Sequence, residues 1–564
     1  MSKKSRKVSK ASDYSSRSHY EKFAEVYNNW QEFPTDADVA KFFDIAPERV
    51  KNRLRNYLGM QKRHPEMDLP PMLNRKDSDF EKGFIVYFED YLRAEEYRID
   101  MSKLGGKGRR YVITSAMYNG DLNKEWWTTL KRYANDTGAE LVVLPTKYGT
   151  SLEQLPNQLK GYVCFEDAML NNVFRINATA HIRPTTLHPL RQVRATRRNL
   201  SEIIASPKVD LNFVPVSNNN LPKVIMSTGS CTYPNYKPGM IGAKAEKQHL
   251  FGAVVVEIVD DNTFHFRQLI ADEGFGVCDI NMKYYHPRGV RKFDAVDTLV
   301  TGDWHVWQTS DIVREQTYGK GGMVDMLRPQ FVIKHDLYDG TSISHHNEHD
   351  PMVLARLAEA GKLNLRAELE ANVDEVIHML QSSGDAQFVV VRSNHDEHLD
   401  RYITETVEGK RKARPENLRI TTELTLPLLD KEMPLEWYIR KRICERIASG
   451  ELKMEAETAM DRLKFLIRDE DFYRHGIQLG MHGDQGANGS RGSLQQFLKG
   501  VGSTVTGHNH TPMIDGPNWV VGTSTWLKLA YTKGLSSWCN SHVVIFPNGQ
   551  RMMLNIIQGE WRMR

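Results

Sequence analysis

Five times between residues 296 and 512, a short apolar run ends on a cluster of Asp, Asn or His. "DTLVTGDWH" ends on Asp303 and His305, and "QFVIKHDLYD" on Asp336 and Asp339. "AQFVVVRSNHDEH" ends on Asn394 and His395, "GIQLGMHGD" on His482, and "GSTVTGHNH" on His508 and His510. Long helical patterns separate them. This repetition constrains the fold more than any other feature. Strands of an α/β layer run through the core, and their ends meet along one edge. Loops far apart in sequence therefore converge there. Asp, Asn and His are ligand types of hard and borderline divalent cations. A lone His-x-His is usually an incidental surface pair. Five ordered clusters with one grammar predict a metal-binding crevice at a strand edge.

The rest of the composition sets bounds. A chain of 564 residues suggests about three or four domains at roughly 100–200 residues each. With 40% hydrophobic and 26% charged residues, it reads as an ordinary soluble globular protein. No apolar run approaches the roughly 18 residues a membrane helix needs, so no membrane role is expected. The N-terminus is basic but lacks a following apolar stretch, so no signal peptide is expected and the cytoplasm is the default. The cysteines at 164, 231, 278, 444 and 539 form no CxxC pair. That argues against a disulfide framework or a thiolate zinc site.

Net charge is only +4, but residues 1–64 carry 14 Lys/Arg against 8 Asp/Glu. Residues 1–17 read as a disordered basic tail. Residues 18–63 read as a helix-turn-helix-like domain. Thr35 can cap a helix over 36–43 with Val39, Phe42 and Phe43 inward. A second helix follows Pro47, with Val50, Leu54 and Leu58 as its apolar stripe. Arg49, Lys51, Arg53 and Arg55 lie off that stripe and suit a phosphate backbone. A small helical bundle making protein contacts is the bland reading. A second basic run, 183–198, carries Arg191, Arg194, Arg197 and Arg198 without an acid, and also suits a polyanion.

A proline-rich linker covers 64–80. An α/β domain is expected over 80–220, with "RRYVITSA" and "AELVVLP" as strands around a helix ending at Gly138. No Gly-rich phosphate loop marks it. Residues 221–295 read as a β-rich segment, with "GAVVVEIV" and "TFHFRQLI" as neighbouring strands. No internal repeat is evident. The last domain spans 296–564. It holds all five clusters, and also a polar segment with His345, His346 and His349 that reads as a surface loop. The Gly-rich 483–492, with Arg491, could meet a phosphate or be a turn. His475 is the reserve for His482.

In order and type the clusters resemble the calcineurin-like metallophosphoesterase superfamily. The motifs are Gly302-Asp303-Trp304-His305, His335-Asp336-Leu337-Tyr338-Asp339, Ser393-Asn394-His395-Asp396, Met481-His482-Gly483 and Gly507-His508-Asn509-His510. The resemblance covers about 296–550. His335 and Ser393 stand where the family usually has glycine. The resemblance implies a layered core of two β-sheets flanked by helices. It implies one metal on Asp303, His305, Asp336 and His510, and a second on Asp336, Asn394, His482 and His508. Asp336 would bridge. His395 would be the catalytic acid at the phosphate, with Asp339 orienting its ring. Two divalent ions are expected, manganese favoured and magnesium the alternative, because the ligands mix imidazole with oxygen and include no thiolate.

Within the superfamily the segment looks most like the SbcD-type nucleases. The long N-terminal extension resembles large phage-encoded DNases that degrade host DNA. With the two basic regions, this makes DNA the expected partner and a two-metal DNase the expected function, in the host bacterial cytoplasm if phage-encoded. A homo-oligomer and an ATPase partner are left open. The competing readings are a small-nucleotide phosphodiesterase or phosphatase, and a DNA-binding regulator with a vestigial metal site.

Overall fold

The computed structural model describes residues 17–29, 36–43, 45–46, 48–63, 69–70, 95–146, 154–180, 182–193, 200–217, 223–348, 350–468, 470–529 and 532–561. Residues 1–16 of the expected basic tail lie outside them, as do Arg194, Arg197, Arg198, His349 and the side chains of Lys51 and His346. The chain divides into two compact units, 1–96 and 97–564.

The first unit contains helices α1 (Arg17–Asn28), α2 (Asp36–Phe42) and α3 (Glu48–Arg63). Phe23, Val26, Tyr27, Val39, Val50 and Tyr57 form its core. The inward stripe of α3 is Val50, Leu54 and Tyr57, while Leu58 is exposed. At 100° per residue, position 57 returns almost to the face of 50 and position 58 does not. Of the expected inner face of α2, Val39 and Phe43 pack inward as expected, whereas Phe42 is exposed. Helix α1 packs on the pair, so α1, α2 and α3 share one core.

The second unit is built twice on one plan. Its first half contains β1 (Arg110–Met117), α4 (Lys124–Thr137), β2 (Glu140–Thr146), β3 (Ala168–Met169), β4 (Phe174–Asn177), β5 (Ser201–Ile204), β6 (Leu211–Val214), β7 (Lys223–Ser227), α5 (Met240–Lys247), β8 (Gly252–Ile258) and β9 (Phe264–Ile270). A small sheet follows, of β10 (Val277–Asp279), β11 (Lys283–His286) and β12 (Gly289–Lys292).

The second half contains β13 (Thr298–Val300), α6 (Asp311–Tyr318), α7 (Met323–Leu327), β14 (Phe331–Lys334), α8 (Pro351–Glu359), α9 (Leu365–Ser382) and β15 (Gln387–Val390). Next come α10 (Asn394–Val407), α11 (Leu418–Leu429), α12 (Pro434–Ala448), α13 (Ala456–Asp461) and β16 (Leu463–Phe465). Strands β17 (Tyr473–Arg474), β18 (Ile477–Gln478), helix α14 (Leu494–Gly500), β19 (Thr504–Thr506), β20 (Met513–Asp515), β21 (Asn518–Val520), β22 (Ser541–Ile545) and β23 (Arg551–Asn555) complete it.

One sheet of the first half runs β2-β1-β8-β9, and the matching sheet of the second half contains β14-β13-β22-β23. In both, the first pair is parallel and the next two are antiparallel. The other layer is a single ten-stranded sheet, β17-β18-β19-β21-β20-β6-β7-β5-β4-β3. Read from either end, it gives an antiparallel pair, two parallel pairs and an antiparallel pair. The halves join at its middle, where Met513 pairs Asn212 and Ile514 pairs Leu211. The boundary drawn at residue 220 falls inside the first half, because β7, β8 and β9 complete sheets begun before it. The repeat is one of topology without a matching repeat of residues.

Why these segments form these strands is visible in their burial. Central strands are covered on both faces, so they read as continuous apolar runs. Alternate residues enter two layers. Val389 lies between the sheets with Ile333, Val505 and Val543. Phe388 and Val390 face the helices with Val332, Leu369 and Val373. The expected strand–helix–strand unit forms as β1, α4 and β2. Asn123 caps α4 by accepting from the Trp126 N–H, and Gly138 closes it at φ 65°.

Candidate metal centre

The ends of β13, β14, β18 and β19, with the start of α10, converge on one buried cluster. Asp303, His305 and Asp336 are almost wholly buried, as are His482 and His510. His305 Nε2 lies 3.1 Å from His510 Nε2 and 3.4 Å from an Asp336 oxygen. His482 Nε2 is 3.2 Å from that Asp336 oxygen, and His510 Nε2 is 3.3 Å from an Asp303 oxygen. Three groups bring donor atoms within 4.8 Å of one another: His305, Asp336 and His510; Asp303, Asp336 and His482; His305, Asp339 and His395. Asp336 belongs to two of them, as a bridging ligand would. His508 rests its ring 5.3 Å from that of His482. Asn394 opens α10, and its Oδ1 is buried without a hydrogen-bond partner among the described residues, like Oδ1 of Asp336. Burying polar atoms unpaired costs free energy. Divalent cations satisfy such a donor set, so the residues fit them.

The electrostatics agree. Burial, reinforced by Asp336, raises the Asp303 carboxyl to about 7. Burial opposes charge on His305, but the Asp336 and Asp339 carboxylates together outweigh it and lift the ring to about 10. The same contest lifts His482 to about 9. The cluster thus holds protons that a bound cation would displace.

The backbone is bent to this purpose. His305, Asp336, His508 and His510 all have positive φ, between 47° and 73°. Non-glycine residues rarely adopt that region. Gly507 is required for space, since a Cβ there would meet Asp303 Oδ1 at 2.1 Å. Ser393, in a usual glycine place, has φ −119° and caps α10 in a reciprocal box with Asp396. His335 packs against His482, and burial lowers its ring to about 3.

His395 is half-buried at the edge of the cluster, and Nδ1 donates to the main-chain carbonyl of Asp339 at 2.6 Å. The expected partner was the Asp339 carboxylate. That carboxylate instead takes Thr341 Oγ1 and Gln308 Nε2, the latter at 3.3 Å, and approaches His305 Nδ1 at 3.5 Å. Sequence reasoning missed Gln308 and also Glu368, which accepts from the Thr341 and Ser342 N–H groups and so holds the loop after Asp339. A carboxylate on the inner face of a helix was the available signal. His475 pairs with Asp297 at 3.3 Å and stands outside the cluster. His345 is exposed. Arg491 is exposed yet near enough to His508 to lower its pKa after burial has done so.

The other expected contacts lie on separate elements of the two units. Arg49 and Arg55 are exposed on α3, and Arg191 is exposed in a turn at Pro189–Gln192. Arg53 lies with its guanidinium 5.0 Å from the Phe43 ring, so it also packs. No described helix is long and apolar enough to cross a membrane.

Fold and site together define a mixed α/β protein with a buried His/Asp cluster suited to divalent cations. Over 479 residues the chain is 30% identical to Protein A1 of Escherichia phage T5, covering 81% of this chain and 83% of that protein, and it belongs to that protein's family. No family model and no solved structure matches.

Proposed function

We propose that the chain is a metal-dependent deoxyribonuclease of the calcineurin-like metallophosphoesterase type, nearest the SbcD branch, acting in a phage-infected bacterial cytoplasm. One observation carries the reading. Asp303, His305, Asp336, His482 and His510 come from four strand ends and meet in one buried donor cluster. Asp303, His305, Asp336 and His510 would hold one cation. Asp336, Asn394, His482 and His508 would hold the other. Manganese is favoured, by the ligand types. When bound, such a pair clamps a phosphoryl group and lowers the pKa of water.

The chain's own residues supply the rest. The carbonyl of Asp339 fixes the proton of His395 on Nδ1, which leaves Nε2 to exchange a proton with the leaving oxygen once the ring is charged. Asp339 also lends negative charge beside His305. Arg49, Arg53 and Arg55 of α3, with Arg191 and the Arg-rich run after it, would meet the DNA backbone without reading sequence. The phage relative supports the setting. The test is digestion of linear duplex, single-stranded and circular DNA with manganese, magnesium or EDTA. Metal-dependent cleavage is expected. Hydrolysis of small nucleotides alone would favour the phosphodiesterase alternative.

A further inference from the structure

One tryptophan ring lies against the cluster, and a second tryptophan is tied to it through the main chain. The Trp538 ring lies 4.3 Å from that of His510, centroid to centroid, at an interplanar angle of 67°. Trp526 is 49% exposed. Its main-chain N–H donates to the Gln308 carbonyl at 3.1 Å, and the Gln308 side chain in turn reaches Asp339. The two loop segments are tied together. Asn540 Nδ2 donates to the carbonyls of Thr523 and Thr525, both at 2.9 Å. The Ser524 N–H donates to the Asp303 carbonyl at 2.7 Å. Both indoles therefore rise from backbone that also fixes a metal ligand.

A large ring held half in water gives up the burial that tryptophan usually obtains. Next to a centre that would bind a phosphodiester, such rings match the stacking surfaces that hold single nucleic-acid strands, which tolerate every base because each has a π-face. Resting on the phosphodiesterase reading above, we propose that Trp526 and Trp538 form a platform on which a nucleobase next to the bound phosphodiester stacks. The site then selects diesters that carry a nucleoside, with no preference among bases.

The test uses two substrates with one leaving group, thymidine 5′-(p-nitrophenyl) phosphate and methyl p-nitrophenyl phosphate. The full chain is loaded with manganese, and bound metal is measured in every variant. The unmutated protein should show a higher kcat/KM on the nucleoside diester. Trp526→Ala and Trp538→Leu should each cut the ratio between the two substrates at least about fivefold, the low end for losing one stacked base. Trp526→Phe should restore much of it. An unmutated ratio near one, or a full ratio in metal-replete Trp526→Ala, overturns the platform while leaving phosphodiesterase activity standing. Metal-loaded protein that hydrolyses neither diester overturns the phosphodiesterase reading itself.

Discussion

The two halves of the second unit share a strand plan and differ in what stands at the strand ends. After β13, the Asp303 N–H donates to the Gly522 carbonyl, and the Asp303 carbonyl accepts from Ser524. Near the end of β1, the Ser115 N–H donates to the Gly229 carbonyl, and its carbonyl accepts from the Cys231 N–H. Ser115 thus occupies the place of Asp303, and Met117 that of His305. Counting along the ladders from the joint places Ala178 at the position of His482 and Ala205 at that of His508. Pro207 stands for His510, and the segment Leu144–Pro145 for Asp336. One potential ligand remains. Asp167 stands for Asn394, and it accepts from Thr179 at 2.9 and 3.0 Å.

The difference teaches what the fold requires and what the site adds. None of these first-half positions has positive φ, whereas four expected ligands do. Left-handed residues cost on the order of 1–3 kcal/mol each. The sandwich forms without that strain where no cluster is built, so the strain belongs to the centre.

The largest effect should separate the halves completely. Asp336→Ala removes the residue shared by two donor groups. Elemental analysis should show both cations lost, and DNA hydrolysis should vanish with them. A variant that kept two equivalents would break the assignment of the centre to the second half.

His395→Ala should come next. Turnover should fall by about 10²–10⁴-fold, the usual scale for a general acid or base, with metal content near two equivalents. Full activity would remove His395 from the mechanism. Loss of metal with activity would make it a ligand, as its group with His305 and Asp339 allows.

The candidate donors that meet in the buried cluster were legible in the sequence because metal binding asks for particular side chains at strand ends. Asp303 and Asp336 could be picked out beside their strands, and His510 within its His-x-His. The duplication was not legible. It resides in hydrogen-bonding order, and Ser115 and Ala178 bear no trace of Asp303 and His482. The φ values of His508 and His510 were equally hidden, since no residue type announces left-handed backbone as glycine does. The stripe of α3 missed by one residue, because Leu58 and Tyr57 are both apolar enough to serve and only packing chose between them.

A smaller effect concerns charge. The Arg-rich run lies between β4 and β5, where the second half has the Gly-rich loop after His482 between β18 and β19. The first half would then contribute phosphate contacts in place of metal. Arg191→Gln should weaken binding to long DNA and lower the slope of log affinity against log salt by about one. Arg49→Gln and Arg55→Gln should do the same from the first unit. An unchanged salt slope would leave these arginines as solvated surface.

The smallest effect is expected at the counterpart of the first ligand. Ser115 Oγ donates to the Gly229 carbonyl at 2.6 Å within a buried layer. Ser115→Ala deletes that bond. The carbonyl keeps the Ser115 N–H and Thr228 Oγ1 as donors, so no acceptor is stranded. The cost should be about 1 kcal/mol, the net value of one internal hydrogen bond, read as a small fall in the denaturant midpoint. Manganese should remain near two equivalents and DNA cleavage unimpaired. The contrast with Asp303→Ala, which should lose cation and cleavage together, is the sharpest form of the comparison, because the two residues share one place in one plan. If Ser115→Ala also lost metal, the halves would be coupled through the joint between β6 and β20, and the first would be part of the centre despite its missing ligands.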